Sequence, residues 1–204
     1  MSQEHWERIY RTTDPTRVSW YQPEARLSLD LIRRVAPDLD APIIDVGGGA
    51  SLLVDGLLDA GYHSVTVLDI APSALAVARQ RLGERADRVV WMEGSILDAR
   101  LRASAYAVWH DRAVFHFLTD QPDRARYVEQ TRHAVHHGGH VIVASFGPEG
   151  PTRCSGLEVT RYSPEGMHAE FGATFRLLDS VSEDHHTPGG AVQAFVYCLC
   201  RVES

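Results

Sequence analysis

The chain has only three cysteines in 204 residues, Cys154, Cys198 and Cys200, and no Cys-x-x-Cys pair. That count supports no disulfide framework. Cys198 and Cys200 alternate within an apolar run, which predicts buried thiols rather than nucleophiles. Basic residues are outnumbered: 20 Lys and Arg face 27 Asp and Glu, a formal net charge of −7. A face built for phosphates needs the opposite balance, so no nucleic-acid partner is expected. No apolar stretch approaches the roughly 20 residues of a membrane span. The opening Met1-Ser2-Gln3-Glu4-His5-Trp6-Glu7 lacks the charged-then-apolar layout of a signal peptide, so no membrane partner and a cytoplasmic location are expected. Internal repeats and low-complexity segments are also missing. The length suits one domain, 1–204, with a sizeable core over 23–204 and an aromatic, charged N-terminal arm or lid over 1–22.

What is present is an alternation of element types. Leu27, Leu31, Ile32 and Val35 share one face of a helix that begins after Pro23 and stops at Pro37. A buried strand at 42–46 runs into Gly47-Gly48-Gly49. A helix over 51–60, closed by Gly61, leads to the β-branched strand 64–69. Pro72 and Ser73 open a helix to about Leu82, with proline in the permitted first turn. Strands follow at 88–92 and 105–110. A helix over 123–137 is ended by Gly138-Gly139, and a fifth strand covers 140–146. This order predicts βαβ units with right-handed crossovers. The last third differs: a short helix from Ser163-Pro164 to Gly172, then strands over 174–183 and 191–201 joined by His185–Gly190 as a hairpin. The fold class is therefore α/β, a Rossmann-like, seven-stranded, mostly parallel sheet with helices on both faces and an antiparallel C-terminal hairpin.

In such sheets ligands bind beyond the carboxyl ends of the strands. The first end carries Asp45-Val46-Gly47-Gly48-Gly49-Ala50-Ser51, where glycines allow close backbone approach. The second strand ends in Asp69, 20 residues past Gly49, a carboxylate placed to accept both ribose hydroxyls. Two details argue against a dinucleotide. Leu52 stands where the third glycine of Gly-x-Gly-x-x-Gly belongs. Asp45 beside the loop repels a pyrophosphate and suits a ligand carrying an ammonium group. A Lys-Ser/Thr phosphate loop is also absent.

With these residues in hand, Ile43–Ser51 resembles motif I of class I S-adenosylmethionine-dependent methyltransferases, and Asp69 resembles their ribose-binding acid. Glu93-Gly94-Ser95-Ile96 is similar to their adenine-binding turn. The resemblance covers about residues 23–200 and implies S-adenosylmethionine as cofactor. It places Gly47, Gly48, Gly49 and Ser51 under the methionine part, and Asp45 toward the amino group. Asp69 would then hold the ribose, Ile70 would pack on adenine, and Gly94, Ser95 and Ile96 would edge it. Where many relatives use Asp for the adenine amino group this chain has Ser95, so Ser95 and Asp98 are the two candidates for that contact. Trp20 and Tyr21 have two readings: a lid attracting the sulfonium through cation–π contact, or an apolar anchor for the arm.

The stretch Trp109-His110-Asp111-Arg112 is similar to one in thiopurine-type S-methyltransferases, and a related stretch appears in some protein-lysine methyltransferases. Following the fourth strand, it is expected to face the reactive methyl, with His110 also edging the cofactor. His110 and His116 have ordinary pKa values suited to base work near neutrality. Arg112 is expected either to pair an acidic acceptor or to orient Asp111. If the segment turns helical, Arg112 and His116 share a face. The alternative for Asp111 and Arg112 is a local ion pair, and for His116 a core position. Arg153, Cys154 and Arg161, in the long loop 147–161, are expected at the acceptor entrance. His133, His136, His137 and His140 have no acidic or cysteine partner nearby and sit at a predicted helix C-terminus, so no metal is expected. His185 and His186 are expected in solvent. The arm and one loop are the only additions to the core, which favours a small-molecule acceptor. A protein lysine is the competing acceptor, and a silent adenosylmethionine-binding protein is the alternative from another class.

Overall fold

The computed structural model describes residues 2–203. In chain order the elements are α1 (Gln3–Thr12), α2 (Arg26–Val35), β1 (Ile43–Val46), α3 (Leu53–Asp59), β2 (Val65–Asp69), α4 (Pro72–Leu82) and β3 (Val89–Glu93). They continue with β4 (Tyr106–Arg112), α5 (Gln121–Ala134), β5 (Val135–Phe146), β6 (Arg153–Cys154), β7 (Leu157–Glu158), α6 (Pro164–Phe171), β8 (Phe175–His186) and β9 (Val192–Val202). Seven strands form one sheet in the order β3-β2-β1-β4-β5-β9-β8, and β6-β7 is a small separate ribbon. The first five strands run parallel, while β9 runs antiparallel to both neighbours. The order reverses between β1 and β4, which opens a crevice at their carboxyl ends.

Side-chain alternation assigns each central strand to two cores. Ile43, Val108 and Ile142 point to one face, where α2 and α3 supply Leu31, Ile32, Leu53 and Leu57. Ile44, Trp109, Val141 and Val143 point to the other, where Tyr127 of α5 and Met167 and Phe171 of α6 close the layer. Every residue of β1 and β2 is buried, as expected of parallel strands covered on both sides.

The arm docks on α4. Trp6, 8% exposed, packs with Ala71 and Ala74, a burial worth on the order of 4–6 kcal/mol before ordering costs. Glu7 accepts hydrogen bonds from both the backbone N–H (2.8 Å) and the hydroxyl (2.7 Å) of Ser73, capping α4 from a distance. These two bonds hold the Glu7 carboxyl below its ordinary pKa.

The end of α5 differs from the sequence reading. The helix predicted to reach 137 ends at Ala134, and Val135 is already extended (φ −88°, ψ 131°). His136 and His137 therefore lie on β5, so His133 and His137 do not share a helix face. Gly138 (φ +78°) does not stop a helix but turns within the strand, where the register against β4 shifts. A Cβ on Gly139 would stand 2.9 Å from the His136 carbonyl and 3.0 Å from that of Ala107. The glycine pair thus serves a close strand approach that pattern alone does not distinguish from a helix end.

Candidate active site

The crevice at the switch point holds a cleft of about 860 Å³, counting the part open to solvent. Its floor begins at the end of β1. Gly47 (φ +70°) donates its N–H to the Leu68 carbonyl at 2.7 Å, and Val114 fills the space a Gly47 side chain would need. Gly49 (φ +42°) lies beneath, where a Cβ would stand 2.7 Å from Asp69 Oδ2 and 3.2 Å from the Tyr10 hydroxyl. Asp69 ends β2 at 6% exposure, with Oδ1 accepting the Ala71 N–H at 2.8 Å. Burial first, then the charges of Asp45 and Glu7, push its carboxyl up to about 7. A carboxylate so placed gains from donors brought by a ligand. Beyond β3, Gly94, Ser95 and Ile96 form the next wall; the Ser95 hydroxyl accepts the Leu97 N–H, and Ile96 is 3% exposed. Ile70 completes this end. Asp98 is not part of it, because its carboxylate turns outward to Arg126 at 2.8 Å.

A second cleft, about 580 Å³ counting the part open to solvent, shares lining residues with the first and contains Tyr21, Asp45, Gly48, Ser51 and His110. Trp20 and Gly47 line both. Here Asp45, His110 and Ser28 form a buried chain: Nδ1 of His110 is 2.7 Å from Asp45 Oδ1, and Nε2 is 2.9 Å from the Ser28 hydroxyl. A carboxylate only accepts, so Nδ1 carries hydrogen. In the neutral ring Nε2 then accepts from Ser28. A Cβ on Gly48 would collide with Asp45 and stand 2.8 Å from Val67.

The acceptor side departs from expectation at three residues. His110 has no free ring nitrogen, so the expected base role does not fit. Asp111 is fully buried; it accepts from the N–H groups of Val114 (2.8 Å) and Phe115 (3.1 Å) and from the Tyr127 hydroxyl (2.6 Å). Burial pushes Asp111 up to about 6, and it caps the turn after β4 rather than facing either cleft. His116 is fully buried, packs at a tilt against Phe146 (ring centroids 4.7 Å apart) and meets Phe117 edge-on at 4.4 Å. Neither of its nitrogens has a hydrogen-bond partner among the described residues. Burial, with a lesser push from the Arg112 charge, lowers its pKa to about 3. It is a core histidine. The shared helical face does not form, because Ala113 turns at φ +76° and a single 3₁₀ turn, Phe115–Phe117, follows.

Arg112 does reach both clefts. Its partner is not Asp111: the guanidinium pairs with Glu183 at 3.3 Å and lies 4.1 Å above the Phe195 ring. Cys154 lines the large cleft, but Arg153 and Arg161 bond loop carbonyls instead (Gly156 O and Pro148 O, each 2.7 Å). Sequence reasoning missed the aromatic walls. Trp6 and Tyr10 come from α1, and Phe117, Phe146 and Phe195 from three other segments. The i, i+4 spacing of Trp6 and Tyr10 was the available signal for the first two. His185 was also misplaced: at 5% exposure it is buried, with Nε2 bonded to the Ser19 carbonyl at 2.7 Å.

A family model described as a methyltransferase domain matches residues 43–139, the segment from β1 into β5. The chain is 33% identical over 118 residues to the ubiquinone biosynthesis O-methyltransferase of Xylella fastidiosa, covering 58% of this chain and 47% of that protein. The match thus spans about half the length of that relative. It is 22% identical to human EEF1A lysine methyltransferase 2, covering 93% of this chain and 80% of the human protein. Among solved structures, it resembles the Burkholderia thailandensis 1,6-didemethyltoxoflavin-N1-methyltransferase, crystallised with 1,6-didemethyltoxoflavin and S-adenosylhomocysteine. That likeness has a TM-score of 0.74 at 18% identity, covering 99% of this chain and 87% of that one.

Proposed function

We propose that this chain is a member of the class I S-adenosylmethionine-dependent methyltransferase superfamily and transfers a methyl group to a nucleophilic atom of a small molecule; the methyltransferase-domain match over residues 43–139 and the partial match to an O-methyltransferase support this. The bound cofactor supplies an electrophilic methyl group on a sulfonium centre. The chain's residues suit it: a buried carboxylate at Asp69 for ribose hydroxyls, Ile70 and Ile96 for the adenine faces, and Asp45 with Gly47 and Gly48 for the ammonium end. Ser95 is the remaining candidate for the adenine edge. Trp20 lies over both clefts and Tyr21 over the smaller one, combining the lid and anchor readings.

The observation that carries the reading is the shape of the large cleft. It runs from Asp69 to walls of Trp6, Phe117, Phe146 and Phe195, and the chain's own arm roofs it. Clefts with this lining, aromatic and apolar with a few convergent polar groups, suit small ligands. The acceptor end offers positioning and exclusion of water. Neither His110 nor His116 lines it, so no histidine base acts on the acceptor there.

The extended match to a human lysine methyltransferase favours one competing reading, a protein-lysine acceptor. Methyl-labelled S-adenosylmethionine and source-cell extract, split by ultrafiltration into low-mass and protein fractions, separate the two. The proposal expects label in low-mass product; label in a protein band favours lysine. The chain contains no lysine, so label on its own band would not be lysine self-methylation. Tight cofactor binding with no labelled product in either fraction would instead mark a non-catalytic binding protein.

A further inference from the structure

The segment between α1 and α2 carries Trp20 over both clefts, yet it has no regular secondary structure. Its internal backbone bonding near Trp20 is a single turn, Tyr21 N–H to Val18 carbonyl at 3.1 Å. Part-buried backbone groups outside regular structure need partners, and here side chains from the sheet supply them to two strap carbonyls. His185 bonds the Ser19 carbonyl at 2.7 Å. Arg112 donates to the Trp20 carbonyl at 3.3 Å. The Gln22 side chain adds a further tie, its Nε2 donating to Glu183 Oε1 at 3.1 Å. Three strap positions, 19, 20 and 22, are thus tied to β4 and β8.

These anchors are themselves fixed. Glu183 and His185 are two apart on β8 and share a face. Arg112 donates from Nε to the Tyr197 hydroxyl at 2.9 Å and pairs with Glu183 through Nη2; the Tyr197 hydroxyl donates in turn to Glu183 at 3.1 Å. The guanidinium rests on Phe195, and the His185 ring meets the same phenyl edge-on at 6.0 Å. Arg112 and Glu183 side chains are only 9% and 19% exposed, so water competes weakly for their bonds. Arg112 has all three guanidinium nitrogens engaged, which leaves it a poor partner for an acidic acceptor.

We propose that Arg112, Glu183 and His185 are positioning residues: a latch that holds the strap Ser19–Gln22 as the roof of the cleft and thereby sets how fast cofactor and its product leave. The cofactor part rests on the functional reading above; the roof itself does not. Loss of one anchor frees a carbonyl or amide that only water then satisfies. The strap opens more often, and Trp20 leaves the cleft with it.

The test uses the full chain with Glu183→Gln, His185→Ala, His185→Gln and, as control, Arg34→Ala, which removes a surface ion pair to Asp179 on the same strand. Two rates are read: trypsin cleavage after Arg17 in the ligand-free protein, and S-adenosylhomocysteine release followed by tryptophan fluorescence in stopped flow. Glu183→Gln and His185→Ala should speed both roughly five- to tenfold, the effect of about one lost hydrogen bond. Arg34→Ala should behave as wild type, and His185→Gln, which keeps an N–H donor, should restore much of the protection. Cleavage at the wild-type rate in both latch variants overturns the latch, as does a gain of cleavage in Arg34→Ala equal to theirs. Wild-type protein that fails to bind S-adenosylhomocysteine would sink the cofactor reading, while the cleavage rates would still judge the latch.

Discussion

Replacing His116 by phenylalanine separates a core histidine from a catalytic base. The ring is fully buried against Phe117 and Phe146 with both nitrogens unpartnered, and its pKa falls to about 3. The folded-state value lies below the unfolded one, so the contribution to stability is present above the unfolded value and lost as pH falls through 6.5 toward 3. Between pH 7 and pH 5 the unfolded chain takes up a proton that the folded chain refuses. At about 1.4 kcal/mol per unit over roughly 1.5 units, this costs the wild type about 2 kcal/mol. Asp69 and Asp111, raised to about 7 and about 6, act in the opposite sense, so the wild-type pH profile is a sum. The difference between variant and wild type isolates His116. His116→Phe also removes two unpartnered polar atoms from the core. Its stability at pH 7 should equal or exceed wild type by about 1 kcal/mol, and the gap should widen by about 2 kcal/mol at pH 5. Urea titrations at the two pH values measure both. Parallel profiles for variant and wild type, or a stably folded variant that has lost methyl transfer alone, would refute the reasoning.

Three further outcomes are expected. Asp69→Asn should weaken S-adenosylhomocysteine binding by about 1–3 kcal/mol. The same variant should melt higher than wild type at pH 8, since a raised carboxyl pKa burdens the fold as pH rises through about 7; unchanged affinity in calorimetry would contradict the ribose assignment. Gly48→Ala drives a methyl group into Asp45 and Val67, costing about 1–3 kcal/mol of stability and weakening the cofactor complex, so an alanine variant that binds and melts as wild type would show the loop is slack. Ser28→Ala leaves His110 Nε2 without its donor and should lower stability by about 1–2 kcal/mol in thermal melts; no shift would show that the buried chain to Asp45 contributes nothing.

The fold was readable because its signals are local. β-branched runs ending at Gly47 and Asp69, separated by helix-length segments, leave few topologies open, and a hairpin at the end makes β9 antiparallel. Asp45, Asp69 and Ser95 could be placed at the carboxyl ends of strands because motif spacing ties them there. The acceptor side was less readable because burial is a property of the assembled layers. Nothing in Phe115-His116-Phe117 tells that Phe146, thirty residues on, covers the imidazole. Nor does the sequence show that Ser28 on α2 meets His110 on β4, or that Glu183 claims the arginine expected to serve Asp111. His185 looked like a loop residue because the strands of the hairpin extend further than their turn residues suggested.

The central claim is tested most directly by titration calorimetry of the full chain with S-adenosylhomocysteine and, separately, with NAD. The account predicts saturable one-to-one binding of S-adenosylhomocysteine, lost or weakened in Asp69→Asn, and no binding of NAD. Heat from NAD with none from S-adenosylhomocysteine would contradict it.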